Sequence, residues 1–195
     1  MTLEIRQLTP LEIKDALDEI AALRIKVFRE WPYLYDGDLA YERRYLAPLA
    51  SGQEVIVAGA FADDKLVGAS TGMPLTAHAD DFSAAFSGSD ICLDEVFYCA
   101  ESVLLPAHRG QGVGHRFFDL REAFARSLGY NLCTFCAVQR QTDHPSRPEK
   151  YRPLDAFWRA RGYTPLAGVT AKFDWKDVGD EHETAKSLQF WARVL

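Results

Sequence analysis

The stretch Leu104-Leu105-Pro106-Ala107-His108-Arg109-Gly110-Gln111-Gly112-Val113-Gly114 links a segment with strand character to an amphipathic helix. Beyond this stretch, apolar residues recur at steps of three and four, which is helical spacing. They are Val113, Phe117, Leu120, Phe124 and Leu128. Gly129 stands where a left-handed cap would end that helix. The sequence therefore predicts a strand, a glycine-rich turn and a helix in succession.

This turn has the chemistry of a phosphate-binding site. Three glycines within five residues let the backbone turn tightly and come close to a ligand. The free amides of the first helical turn and the helix dipole favour an anion, and Arg109 adds a positive charge suited to phosphate oxygens. A Rossmann fingerprint needs another glycine spacing, and a Walker loop needs a Gly-Lys-Ser/Thr sequence that is absent. A plain glycine-rich turn is the alternative, and the flanking sequence must decide.

Composition and charge limit the classes of function that are possible. The length of 195 residues predicts one domain spanning residues 1–195. Apolar content of 48% and charged content of 26% are ordinary for a globular protein, and the net charge of −6 gives no basic footprint for nucleic acid. No apolar run approaches the length of a membrane span, and the N-terminus has no secretory pattern. We therefore expect a cytoplasmic protein with neither nucleic acid nor membrane as a partner.

The cysteines do not indicate a metal site. Cys133 and Cys136 have C-x-x-C spacing, but they lie inside a segment that is predicted to be a buried strand. Residues three apart on a strand point to opposite faces, which suits neither a shared metal ion nor a disulfide. We expect buried thiols and no metal.

The remaining elements follow from periodicity and from start and stop signals. Thr9-Pro10-Leu11-Glu12 has capping-box spacing with proline at the first helical position, and Asp38 can cap a second helix, which is expected to break at Pro48. Residues 76–90 show no clear period and are expected to form a long loop. The predicted strands cover residues 3–6, 54–61, 66–73, 91–105, 131–138, 169–175 and 188–194. A turn at residues 63–65 should join the second and third strands in a hairpin, and the last two strands should form a closing antiparallel pair. The segments 91–105 and 131–138 should run parallel, because a right-handed helical crossover joins them.

Two motifs carry a family resemblance. Arg109 to Gly114 matches R-x-x-G-x-G, with Pro106 three residues before the arginine, and resembles the acyl-CoA pyrophosphate loop of the GNAT superfamily of N-acetyltransferases. Phe157 to Tyr163 resembles the second signature of that family, Phe-Tyr-x-x-x-Gly-Phe, and begins 43 residues after Gly114, a typical spacing. The order of elements also resembles the GNAT fold. That fold is a mixed α/β (α+β) architecture with a mostly antiparallel, splayed sheet, a central parallel strand pair and about four helices.

The resemblance implies acetyl-CoA as the cosubstrate, with no metal. The pyrophosphate would be held by the backbone of Arg109, Gly110, Gln111, Gly112, Val113 and Gly114. The strand end formed by Val103, Leu104 and Leu105 would pair with the pantetheine arm, and an exposed amide near Leu104 would polarise the thioester carbonyl. That pairing needs a bulge or a splay between the strands at 91–105 and 131–138.

The chain departs from the family pattern in its general acid. Trp158 stands beside the pantetheine where the family often has a tyrosine that can protonate the departing thiolate, and tryptophan cannot act as an acid. Tyr151 stands near the place of a missing asparagine. Tyr151, Tyr163, a bound water or no acid at all remain open.

Candidate bases lie on the strand before the turn. An amine acceptor is mostly ammonium at neutral pH and must lose a proton before it attacks. Glu101 is the carboxylate nearest the expected thioester position, and Glu95 and Asp94 lie further back. The alternative for each is a surface carboxylate or a salt bridge, and a bulge would reverse which one faces the cleft. Asp143-His144 is a second candidate for acceptor contact.

These residues predict an N-acetyltransferase that moves an acetyl group from acetyl-CoA to a primary amine by direct attack. An acyl-enzyme on Cys99 or Cys136 is the less favoured route, because nothing nearby in the sequence pairs with either thiol as a base. The acceptor is unidentified, since the acidic clusters at residues 63–64, 80–81 and 94–95 fit either a cationic amine or solvated turns. A catalytically inactive acyl-CoA sensor or structural protein is the main alternative, and a nucleotide-binding α/β protein is another. Dimerisation is common in the family, and the sequence neither supports nor excludes a homodimer.

Overall fold

A computed structural model describes residues 3–195, apart from the side chains of residues 80 and 81. The strands are β1 (Leu3–Gln7), β2 (Ile56–Ala62), β3 (Lys65–Pro74), β4 (Val96–Tyr98), β5 (Ser102–Leu104), β6 (Leu132–Val138), β7 (Thr164–Lys176) and β8 (Glu183–Val194). The α-helices are α1 (Pro10–Phe28), α2 (Leu39–Ser51), α3 (Ala79–Phe86), α4 (Val113–Ser127) and α5 (Asp155–Ala160). Within this described part, no helix is both long and apolar enough to cross a membrane.

The strands form one sheet in the order β1-β2-β3-β4-β6-β8-β7, and β5 pairs beside β4 on β3. All pairs are antiparallel except β4 with β6, which is parallel. The predicted fold class is therefore confirmed, including the central parallel pair and the closing antiparallel pair. The described residues hold five α-helices instead of about four, because α3 forms where a loop was expected.

The N-terminal helices begin where the sequence predicts. Thr9 N–H donates to Glu12 Oε2 at 2.8 Å and Glu12 N–H donates to Thr9 Oγ1 at 3.3 Å, which completes the capping box of α1. Asp38 accepts a hydrogen bond from Tyr41 N–H at 2.9 Å and caps α2. The break expected at Pro48 was wrong, since α2 continues to Ser51. Pro48 lies in the last turn, where Gly52 N–H closes the helix onto the Pro48 carbonyl at 2.8 Å.

The hairpin β2–β3 was also predicted. Its turn residues Asp63 and Asp64 have φ of 48° and 63°. Two consecutive positive-φ residues are typical of the tight two-residue hairpin turn, in which aspartate is tolerated.

The long loop expected at residues 76–90 was wrong. Leu75–His78 forms a short 3₁₀ helix, and α3 follows it directly. Phe82 and Phe86 are four residues apart and both are buried, with their rings 5.1 and 4.8 Å from the ring of Phe190. Burial of these two rings against β8 stabilises α3. The small polar residues around the two rings leave no clear helical period in the sequence, so a loop was expected.

The single long strand expected at 91–105 was wrong as well. Residues 93–95 form a 3₁₀ turn, and β4 and β5 are separated by three residues. Ala100 N–H donates to the Thr71 carbonyl and Thr71 N–H donates to the Glu101 carbonyl, both at 3.1 Å. Two residues therefore oppose one, which is a β-bulge. Beyond this bulge β5 pairs only with β3, and β6 pairs with β8, so β5 and β6 are not paired with each other. The predicted splay between the segments 91–105 and 131–138 is therefore present.

Helices cover both faces of the sheet. Val57 and Ala69 pack under α1 and α2 on one face, whereas Ala58 and Ala60 pack under Val113 and Phe117 of α4 on the other. The same division separates the two thiols of the C-x-x-C segment: Cys136 packs in the cluster of α3, and Cys133 packs in the cluster of α4 and α5. Both are buried free thiols, as predicted.

Candidate active site

Two cavities meet at the bulge between β4 and β5. The larger, about 1190 Å³, extends along the splay between β5 and β6 to the start of α4. The smaller, about 500 Å³, lies among α1, α2, α3 and the β7–β8 hairpin. Five residues line both cavities: Phe28, Tyr33, Ala100, Glu101 and Cys136. The two cavities are therefore adjacent, with these residues between them.

The glycine-rich turn lies at one end of the larger cavity. Gly110 and Gly112 have φ of 75° and 79°, and a Cβ on either would meet no atom within 4 Å. The backbone conformation at these two positions therefore favours glycine, and the space beside each of them is open. Gly112 is the N-cap residue of α4, and no side chain caps this helix. The first hydrogen bond within the helix is donated by Arg116 N–H to the Gly112 carbonyl at 3.3 Å. The amides of residues 113–115 precede that hydrogen bond and, as at other helix N-termini, are available to bind an anion.

Most of the predicted turn residues line this cavity: Arg109, Gly110, Gly112, Val113 and Gly114. Gln111 does not, and its side-chain amide instead donates to the Ala107 carbonyl at 3.5 Å. Gly114 has a packing role, because a Cβ there would lie 3.4 Å from Phe157 Cζ. The turn therefore offers backbone to a ligand on one side and packs against α5 on the other.

Arg109 fixes the turn to its neighbours. Its Nη1 lies 2.8 Å from Glu30 Oε2, and its Nε donates to the Leu104 carbonyl at 3.1 Å. Both side chains of the ion pair are about two-fifths exposed. An exposed pair of this kind contributes about 0.2–1 kcal/mol, so a phosphate can compete with Glu30 for the guanidinium.

The direction of the backbone hydrogen bonds of β5 determines which residues at the end of this strand face the larger cavity. Leu105 N–H donates to the Val67 carbonyl at 2.9 Å, so its amide is used within the sheet. Hydrogen-bonding direction alternates along an antiparallel strand, so Val103 also faces β3, whereas Ser102 and Leu104 face the larger cavity. Of Val103, Leu104 and Leu105, only Leu104 lines that cavity.

Glu101 occupies the point where the cavities meet. Its side chain is 5% exposed, and its Oε2 lies 2.7 Å from Arg24 Nη1. Tyr45 donates its hydroxyl to the same oxygen at 3.5 Å. Glu101 Oε1 is buried and has no hydrogen-bond partner among the described residues. Arg121 donates to the Glu101 carbonyl at 3.1 Å and to the Thr71 carbonyl at 3.2 Å, which holds the bulge in place.

Arg24 is shared between two carboxylates. Its Nε contacts Glu42 while its Nη1 contacts Glu101, and all three side chains are buried. Burial lowers the pKa of Arg24, but the charges of Glu101 and Glu42 outweigh burial and hold that pKa above its usual value. One guanidinium facing two carboxylates leaves this cluster with excess negative charge, which favours a cation in the adjoining cavity.

The hydroxyls around Glu101 stay protonated. Burial and then the charge of Glu101 raise the pKa of Tyr45 above its usual value, and burial raises that of Tyr33. Cys136 has its thiol 3.2 Å from the Tyr98 hydroxyl. Burial raises the pKa of Cys136 to about 12 despite that hydrogen bond. The thiol is therefore neutral at pH 7 and a poor nucleophile.

The other predicted residues are dispersed. Glu95 is exposed in the 3₁₀ turn before β4 and lines neither cavity. Tyr151 lines the larger cavity, with its ring edge-on to Trp31 at 5.9 Å, and burial raises its pKa. Trp158 lines the same cavity. Tyr163 is fully buried and donates to Glu122 Oε1 at 3.1 Å, so it faces neither cavity.

Sequence reasoning missed the charged residues that hold Glu101. Arg24 lies four residues after Ile20 on the apolar stripe of α1, and Arg121 lies four residues after Phe117 on that of α4. Glu42 likewise precedes Leu46 by four residues on α2. A charged residue on a buried helical face needs a partner or a function, and this signal was available in the sequence.

No family model and no curated protein sequence matches the chain. Solved structures do match over nearly the whole length. The polyamine N-acetyltransferase of Drosophila melanogaster is 15% identical with a TM-score of 0.66, and the match covers 100% of both chains. YncA of Salmonella typhimurium, solved with its cofactor acetyl-CoA, is 14% identical with a TM-score of 0.59, covering 100% of this chain and 95% of that one. A GCN5-related N-acetyltransferase from Kribbella flavida is 15% identical with a TM-score of 0.59, covering 99% and 98%.

These likenesses define the class of fold. The chain has the GNAT fold, as its two sequence motifs implied.

Proposed function

We propose that the protein is an acetyl-CoA-dependent N-acetyltransferase that acetylates a primary amine by direct attack. The observation that carries this proposal is Glu101, which lines both cavities and whose buried Oε1 has no hydrogen-bond partner among the described residues. One cavity has a phosphate-binding turn and an open strand edge, and the other has an acidic and aromatic wall. The GNAT fold supports the proposal, and the Salmonella neighbour was solved with acetyl-CoA.

The larger cavity fits acetyl-CoA. Its volume of about 1190 Å³ exceeds the roughly 300–1,000 Å³ of ordinary small-molecule pockets. The backbone from Arg109 to Gly114 would hold the pyrophosphate, and the open edge of β5 at Leu104 would hold the pantetheine, with Trp158 in the opposite wall. Acetyl-CoA would supply the acetyl group as an activated thioester, and Leu104 N–H would donate a hydrogen bond to its carbonyl oxygen.

Glu101 would act as the base. The acceptor ammonium enters from the smaller cavity and gives a proton to Glu101 Oε1, which frees the nitrogen lone pair for attack. Arg24 holds Glu101 by its other oxygen, which fixes the side chain and leaves Oε1 without a partner among the described residues. Because Glu42 takes a share of the same guanidinium, Glu101 is less strongly neutralised than in a one-to-one pair.

The departing thiolate can take a proton from a tyrosine. Tyr33 and Tyr151 both line the larger cavity, and burial raises the pKa of each hydroxyl. Both side chains therefore carry a proton at neutral pH, but the raised pKa makes each a weaker acid than an ordinary thiol, so a bound water or no acid at all stays an alternative. Trp158 has no such proton to give, and the proposed chemistry does not depend on it. The buried free thiols fit the reducing cytoplasm that the sequence led us to expect.

The test compares two isosteric variants. Glu101→Gln keeps the shape of the side chain but cannot accept the proton, so acetyl transfer to an amine should fall by about 10²–10⁴-fold. Acetyl-CoA affinity, measured by calorimetry, should stay within about twofold. Glu95→Gln is the matched control at the other candidate carboxylate and should transfer acetyl at the wild-type rate.

The outcomes separate the candidate functions. Wild-type acetyl-CoA binding without transfer to any amine would favour the acyl-CoA sensor. No acetyl-CoA binding even near millimolar concentration would mean that the glycine-rich turn is only a turn. Loss of transfer in Glu95→Gln instead of Glu101→Gln would move the base to Glu95.

A further inference from the structure

The smaller cavity has an unbalanced charge. Among the residues whose side chains the structure describes, six carboxylates and two cationic side chains line it. Both cations are engaged: Arg24 with its two buried carboxylates, and Lys176 with Asp36 at 2.8 Å. The volume of about 500 Å³ suits a small molecule. A small cationic ligand therefore fits this cavity better than an anionic or neutral one.

The negative charge lies at two ends. At the inner end, Glu101 is buried and its Oε1 has no partner among the described residues. At the outer end, Asp174, Glu181 and Glu183 of the β7–β8 hairpin are exposed, and none forms an ion pair within the part of the chain that the structure describes. A ligand that spans the cavity meets a carboxylate at each end.

Aromatic rings line the space between the two ends. They include Tyr41, Tyr45, Tyr98, Phe82, Phe173 and Trp175. Ring faces attract ammonium groups and pack against methylene chains. The cluster already binds a cation in this way, since Arg24 lies 4.3 Å from the ring centre of Tyr45.

We infer that the acceptor is a linear aliphatic amine with at least two ammonium groups separated by an apolar chain. The reacting nitrogen lies at Glu101, the chain passes along the rings, and the second ammonium lies among Asp174, Glu181 and Glu183. The inference rests on the proposed function, because it names the acceptor class of the same site.

The test uses a matched pair of amines. 1,4-Diaminobutane and n-butylamine have the same four-carbon chain and differ by one ammonium. We expect kcat/KM for acetylation, and affinity in a calorimetric titration, to favour the diamine by about tenfold, which corresponds to ~1.4 kcal/mol. The preference should shrink in 1 M salt, where the screening length falls to about 3 Å.

A pair of charge variants locates the preference. Glu181→Gln/Glu183→Gln removes two outer carboxylates, and the diamine-to-monoamine ratio should fall toward one. Asp15→Asn/Glu19→Gln removes the same charge from the exposed face of α1 and should leave the ratio at the wild-type value. A loss of preference in both variants would indicate a general effect of net charge and would overturn the assignment.

The failure of this inference differs from that of the proposed function. If the protein binds acetyl-CoA and acetylates both amines equally, or prefers a lysine-containing peptide to the diamine, the acceptor class is wrong and the acetyltransferase stands. If acetyl-CoA does not bind, the proposed function fails, and a diamine preference in the titration would then mark a binding site without an acceptor role.

Discussion

Arg24 Nη1 lies 2.7 Å from Glu101 Oε2, and the same guanidinium binds Glu42 through Nε. Helix α1 thus joins the bulge of the sheet to helix α2 by a buried charge cluster. The cluster positions the candidate base and leaves it short of positive charge. These three side chains contribute both to the stability of the fold and to the proposed function, so we expect a change that disturbs the cluster to alter both.

Arg24→Met should destabilise the fold by about 3–5 kcal/mol, since it leaves two buried carboxylates without their cation. Urea unfolding measures the loss. Arg43→Met is the matched control: Arg43 makes two 2.7 Å bonds to Asp18, but both side chains are more than half exposed. That variant should lose under about 1 kcal/mol. Equal losses in the two variants would contradict the view that burial determines the contribution of this cluster.

Local signals made much of the fold predictable. The capping box at Thr9 and Glu12, the aspartates of the β2–β3 turn and the cap at Gly129, with φ of 90°, depend on residues close in sequence. The order of these elements, together with the two motifs, then indicated the GNAT fold. The periodicity of β7 and β8 was sufficient for the closing hairpin.

Features that depend on distant residues were not predictable from one sequence. The resemblance implied a bulge or a splay, but the position of the bulge at Ala100 and Glu101 depends on Thr71 and Arg121, which hold its backbone and are distant in sequence. The partner of Glu101 is on α1, and α3 is stabilised by rings that pack on β8. Pattern reasoning could select Glu101 as a carboxylate near the turn, but only the tertiary structure shows which cavities it faces.

The capping box gives a pH dependence. A hydrogen bond from the side chain of Arg6, followed by bonds from Thr9, lowers the pKa of Glu12 from 4.5 to about 2. Because the folded pKa lies below the unfolded one, the stabilisation is present above about pH 4.5 and is lost as the pH falls toward 2. Glu12→Gln should therefore flatten the loss of stability over this window, measured by urea unfolding at each pH. An unchanged pH profile would show that Glu12 does not titrate with folding.

Gly112 and Gly129 provide a matched pair for the phosphate site. Both have positive φ and open space where a Cβ would lie, at opposite ends of α4. An aspartate at either position costs backbone strain of about 1–2 kcal/mol. Only Gly112→Asp places a carboxylate beside the proposed pyrophosphate, so we expect it to weaken acetyl-CoA binding by more than about tenfold, measured by calorimetry. If Gly129→Asp weakens binding equally, the effect comes from the helix as a whole.

Cys136 tests whether acetyl transfer is direct. The thiol lines both cavities, but burial raises its pKa to about 12, so almost none of it is thiolate at pH 7. We expect intact-protein mass spectrometry of the wild type with acetyl-CoA and no acceptor to show no acetyl adduct. Glu101→Gln, mixed in the same way, should also stay unmodified, because its defect is in proton removal from the amine. An adduct that appears in the wild type and disappears in Cys136→Ser would instead establish an acyl-enzyme, and the role of Glu101 would then be to activate the amine in a second step.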